Sequence, residues 1–201
     1  MPRSRKPATD ANDTAIAAAL AAFLAAEKAP SGPIQWEPDG RNLRFAVALE
    51  IEGVTEAGLL LFGRASLGLP ERNVTLGLSW TDPQGRGGNF DRLDWRPLGA
   101  HMNKGLGPEA HRFALIEGTH HHPLTENAAL PIGVLRAIGE NLPVALPVVP
   151  EPADWPAFLA LAAQRWRFHD VVPVPLPPWQ YDLPLAVTDG AAAGRTKGRN
   201  T

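Results

Sequence analysis

The sequence predicts an α+β protein: an antiparallel, twisted sheet of five or six strands in a meander, two or three helices packed on one face, and a proline-rich C-terminal strap. Three observations carry that expectation. Leu43, Phe45, Val47, Leu49 and Ile51 alternate with Asn42, Arg44, Ala46, Ala48 and Glu50, the period-two pattern of a strand with one wet face. Ile16, Leu20, Phe23 and Leu24 recur at helical spacing in an alanine-rich stretch. Ten of the 21 prolines fall between Pro143 and Pro184, which confines regular structure there to short pieces.

Taken in chain order, the first element is a helix over 13–28, with Asp13 as its cap and Gly32-Pro33 as its stop. Its apolar stripe is narrow and otherwise alanine, so it should lie close against the outside of the sheet. Pro38-Asp39-Gly40 is turn chemistry that pairs 34–37 with the alternating strand after it. Residues 58–67 read as a buried central strand, and Val74, Leu76, Leu78 and Trp80 alternate with Thr75, Gly77, Ser79 and Thr81 in the next. A shorter strand over 90–95 follows the loop 82–89, and 113–122 is a candidate sixth. Helices are expected over 130–140 and over 154–167. In the latter Asp154 caps, Pro156 is tolerated in the first turn, and Phe158, Leu159, Ala162 and Trp166 share a face. Residues 173–179 read as an extended strap over the body, and Trp80, Trp95, Trp155, Trp166 and Trp179 as fillers of the core and the strap joint.

A chain of 201 residues, 44% hydrophobic, can bury one substantial core. Residues 10–186 are therefore expected to form one domain, between basic tails at 1–9 and 187–201 that read as disordered. The net charge of −2 hides an acidic body between those tails, which argues against sequence-independent nucleic-acid binding by the folded part. The absence of cysteine removes disulfides, thiolate zinc sites and thiol catalysis, and fits a reducing compartment. A soluble, cytoplasmic protein with no membrane span is expected, acting through histidine and carboxylate chemistry. Gly85-Arg-Gly-Gly-Asn89 lacks the ending of a phosphate-binding P-loop and reads as a hairpin loop.

Five of the six histidines, His101, His111, His120, His121 and His122, fall within one short stretch. On an extended backbone His120 and His122 point one way and His121 the other. Three readings follow. The pair can bind zinc or another divalent transition metal, with His101 as third ligand and His111 or Glu126 as alternatives. It can instead do acid–base work, with His101 beside it, Asn103, Thr119 or Asp94 orienting a ring, and Arg92 steadying negative charge. Or the cluster is packing alone.

The strings Arg92-Leu-Asp94, His101-Met-Asn103 and Gly118-Thr-His-His-His122, after a meander and before an amphipathic helix, resemble small bacterial and phage proteins of the TumE type, found in toxin–antitoxin and mobile-element settings. The resemblance spans residues 58–170. Leu93 stands where an aromatic is usual there, 123–150 is longer than compact members need, and both ends of the chain are extra. It implies a toxin-like effector with a protein partner, such as a cognate antitoxin or a complex subunit. The leading expectation is an effector acting through the histidines on a phosphodiester such as RNA, which calls for a positive patch from Arg86, Arg92, Arg96 and Lys104. The rivals are a non-catalytic interaction module using a sheet edge or the strap, and a metal-binding protein without turnover.

Overall fold

Alternation at 43–51 does what it predicts. In a computed structural model of the chain, which describes residues 11–169 and 172–181, it becomes β3 (Asn42–Ile51), and β4 (Val54–Ser66), β5 (Val74–Thr81) and β6 (Gly87–Trp95) follow as an antiparallel meander. Short strands extend it to eight: β1 (Lys28–Pro30) and β2 (Glu37–Asp39) both pair with β3, while β9 (His120–His122) pairs with β6 and β10 (Leu146–Pro147) with β9. The two or three strands beyond the expected number are too short to show a period. The expected sixth strand over 113–122 is broken instead. Its first part, β8 (Leu115–Ile116), forms a separate hairpin with β7 (His101–Met102), and only the three histidines join the main sheet. Pro123 ends β9, since a residue without an N–H cannot continue the ladder.

Register sorts the two faces. On one, Leu43, Ala65, Val74 and Trp95 form one row, and Phe45, Gly63, Leu76, Leu93 and His121 the next. Apart from Gly63 and His121, their side chains build the main core with Leu20 of helix α1 (Ala11–Ala25) and Trp155, Phe158 and Trp166 of α4 (Trp155–Trp166). On the other face the rows are Arg44, Arg64, Thr75, Asp94, His120 and Ala46, Phe62, Gly77, Arg92, His122. This polar face carries the histidines. Helices α2 (Leu124–Ala128) and α3 (Val134–Gly139) follow β9, and Leu124, Val134 and Ile138 extend the core.

The helix ends are fixed by long-range contacts. Asp154 caps α4 through the Ala157 N–H at 2.9 Å, as expected. Asp13, expected to cap its own helix, instead accepts from the N–H groups of Val134 and Leu135, capping α3 from 121 residues away. Helix α3 is correspondingly short, because Gly133 with φ +86° and Asp13 fix its start. The Lys28 ammonium, 2% exposed, donates to the carbonyls of Leu24, Ala26 and Trp166 and so ties the C-terminal ends of α1 and α4 together. The strap is laid on the body as far as it is described: Val172, Val174 and Trp179 are buried, the Trp36 indole donates to the Pro175 carbonyl, and the Gln180 N–H donates to Leu67. The basic tails at 1–9 and 187–201, and residues 182–186, lie outside the described residues. Among the described residues no helix is long and apolar enough to cross a membrane.

Candidate functional site

The register of β6 against β9 sets Arg92 beside His122 and Asp94 beside His120. Both pairs stand on the polar face. The β7–β8 hairpin brings His101 over them, and the ligand atoms of His101, His120 and His122 all lie within 4.8 Å of one another. The imidazole centroids of His101 and His122 are 4.6 Å apart and those of His120 and His122 5.0 Å. His122 is fully buried and His120 nearly so, whereas His101 is half-exposed and forms the mouth.

Each ring is tied on its outer side to a backbone carbonyl. His120 Nδ1 lies 2.9 Å from Gly118 O, His122 Nδ1 2.7 Å from Leu142 O, and His101 Nε2 2.9 Å from Pro143 O. A carbonyl only accepts, so each of these nitrogens carries the hydrogen, and in a neutral ring the other nitrogen keeps its lone pair. The Nε2 atoms of His120 and His122 then lie 3.4 Å and 3.3 Å from Asp94 Oδ2. Acceptors converge here, and the donor among them is Arg92, whose Nη2 is 2.7 Å from His122 Nε2 and whose Nε is 3.0 Å from Asp94 Oδ2. Its Nη1 donates to Asn141 O at 3.2 Å, and Thr75 donates to Asp94 Oδ1 at 2.6 Å.

Burial lowers His122 to about 4, outweighing the help Asp94 gives to its charged form, and burial likewise lowers His101. Burial pushes the Asp94 carboxyl up. A proton on the inward nitrogen of His120 or His122, shared with Asp94 Oδ2, and the charge of Arg92 overcome that and hold it well below the usual carboxylate range. The site is thus an ionised carboxylate among imidazoles of which at least two resist protonation. A measurable consequence follows for the chelator-treated protein. Because His122 takes a proton near 6.5 when unfolded but only near 4 when folded, the unfolded state binds more protons between those values. Stability is full above pH 6.5 and falls by about 3 kcal/mol as the pH drops to 4, a loss that denaturant titrations at a series of pH values would read.

The other expected site residues lie elsewhere or have other partners. Asn103 is fully buried, and its amide is committed to backbone, donating to His111 O and Ala145 O and accepting from Ala145 N. It touches no imidazole but fastens the hairpin that carries His101. Thr119 bonds Glu151 and the Arg96 N–H rather than a ring. His111 sits in a 3-10 turn (Glu109–His111) and Glu126 lines a different depression, with Gly105 and Leu130; neither belongs to the metal-ligand grouping. The expected positive patch is dispersed by local partners: Arg86 pairs with Asp82 at 2.7 Å, and Arg96 with Glu71 and the Ala153 carbonyl. The cluster lies away from the 82–89 loop. Asp94 is seven residues along β6 from Gly87, roughly 23 Å of extended strand, and only Asn89 approaches, through Asn141.

Comparison with known proteins finds no family model, no curated protein and no solved structure that matches this chain. What the fold and site define is an α+β protein carrying a three-histidine, one-carboxylate cluster on the polar face of its sheet.

Proposed function

We propose that this chain is a toxin-like effector enzyme in which His101, His120, His122 and Asp94 hold a divalent transition metal and act on a phosphodiester. The observation that carries the metal is the outward tethering of all three rings to backbone carbonyls, the arrangement by which proteins orient metal-ligating imidazoles. A proton shared inside the cluster satisfies two of the inward acceptors; an ion satisfies all of them. Arg92 occupies that position with respect to His122 and Asp94, so binding an ion requires its Nη2 to move aside while Nη1 keeps its hold on Asn141. A bound ion supplies Lewis acidity toward a phosphoryl oxygen, and Arg92 beside it steadies the negative charge that builds there. A toxin-like role supports a protein partner that restrains the site, in keeping with the half-exposed His101 at its mouth.

Elemental analysis of untagged protein should give about one zinc, nickel or manganese ion per chain, absent from the His120→Ala, His122→Ala double variant. Since that variant removes two buried rings, the chelated wild type provides a second readout: added zinc should raise its melting temperature. Growth arrest on expression in a host, relieved by His120→Ala, is the corresponding cellular result. Neither metal nor a zinc-induced shift would leave acid–base chemistry as the better account.

A further inference from the structure

The polar face does not end at the histidines. Beside them is a groove of about 370 Å³, lined among others by Arg44, Arg64, Phe62, Thr75, Asn89 and Arg92. Arg92 belongs to both places, since it lines the groove and bonds Asp94 and His122. Arg64 is exposed and has no hydrogen-bond or ion-pair partner among the described residues. Among the described residues the Arg44 side chain is engaged with Asp39 alone, at 3.6 Å, in a pair more than half exposed on both sides. Between β3 and β9 Asp94 is the one acid in the two rows, and it is already matched by Arg92 and Thr75, while Glu37 of β2 continues the first row beyond Arg44. In a chain of net charge −2, a face on which Arg64 has no acid partner and Arg44 keeps only a solvent-exposed one, beside Arg92, is a local departure.

An aromatic ring lies in the middle of that strip. Phe62 is half-buried, and a Cβ placed on Gly77 would come within 2.5 Å of its ring, so the ring lies over the β5 backbone at the one residue type that admits it. Its row continues through Gly77 and Arg92 to His122, two strand spacings from Phe62 to Arg92, about 10 Å. An aromatic ring resting on a sheet face, with cations nearby, is how sheet surfaces stack the bases of unpaired nucleic acid while holding its phosphates. A folded protein or a duplex presents no free base to such a ring.

From this juxtaposition we infer that the groove binds single-stranded nucleic acid, with a base stacked on Phe62, phosphates on Arg64 and Arg44, and the next phosphodiester passed by Arg92 to the histidine cluster. The inference rests on the phosphodiester reading of the site and names its substrate as an unpaired strand. RNA and DNA share this chemistry, and the test separates them.

Fluorescein-labelled eight-nucleotide RNA and DNA strands of the same sequence, and an RNA duplex, are titrated with the full chain in the presence of chelator, read by anisotropy. Binding of one or both single strands, with the duplex bound at least tenfold more weakly, is expected. Phe62→Ala should weaken it about tenfold, and Arg64→Ala should both weaken it and lower its salt slope by about 0.7, the loss of one phosphate contact. Arg64 is exposed, so Arg64→Ala should hardly move the melting temperature; Phe62 is half-buried, so Phe62→Ala is titrated well below its own melting temperature. Single-strand affinity unchanged in both variants, no single-strand binding, or equal duplex binding would overturn the inference. Chelation and a parallel measurement on Asp94→Asn keep this result separate from the metal site: an intact groove binds in both conditions even if the cluster holds no ion, and a metal-loaded protein that fails to bind sinks the groove alone.

Discussion

Replacing Asp91 by leucine should lower the stability of this protein by about 3–5 kcal/mol, the usual loss when one partner of a buried charged cluster is removed. Asp91 is 3% exposed and stands on the core face of β6. Its carboxylate accepts from the Trp166 indole at 2.8 Å, the His121 ring at 2.6 Å and the Leu124 N–H at 2.9 Å. One side chain thereby fastens the end of α4, strand β9 and the start of α2. Leucine leaves three buried donors without an acceptor, and none of them can turn to water without separating the elements they belong to. Arg165, which donates to the far side of His121 at 3.2 Å, cannot compensate because it too is a donor. For a chain of this size the melting temperature should drop by about 10 °C or more, measured by calorimetry. A fall of only a degree or two would mean that water reaches these groups and that Asp91 does not hold the layers together.

The contrast with what the sequence shows is instructive at this strand. Alternation at Leu43–Ile51 and Val74–Trp80 is a local property, so the meander and its two faces follow from it directly, as does α4 from Asp154, Pro156 and the Phe158–Trp166 stripe. The alternation of His120, His121 and His122 is likewise local, and the first and last of them do share a face with Arg92. What is not local is which strand pairs with them. Asp94 becomes the central carboxylate only because β9 aligns its first histidine with it, a register set by Leu93 opposite His121 and not by any feature of Asp94 itself. Placing Asp94 two residues after Arg92 on one strand face is the signal that was available. His101 joins through a hairpin stapled by Asn103, whose amide reaches Ala145, 42 residues away. The arginine patch fails for the opposite reason: Arg86 finds Asp82 four residues back, a nearer partner than any substrate.

Asp94→Asn should then produce the opposite pattern from Asp91→Leu, although the two aspartates sit three residues apart on one strand. The asparagine can still accept from Thr75, and Arg92, deprived of its carboxylate, keeps its bonds to Asn141 O and His122 Nε2, so the stability lost should be smaller than at Asp91. What it loses is the negative charge that attracts a cation to the inward nitrogens of His120 and His122. Zinc affinity should fall by roughly 100-fold or more, comparable to or greater than the effect of removing a group that merely orients a ligand. The side chain of Arg92, released from its carboxylate but still held at Asn141, should offer no substitute, because a guanidinium repels the ion. Competition titration with a chromophoric chelator gives the affinity, and thermal unfolding of the metal-free protein gives the stability. Large loss of affinity with little loss of stability assigns Asp94 to the centre. Unchanged zinc binding would show that the three histidines suffice without it, and equal losses in both readouts would make Asp94, like Asp91, a structural tie.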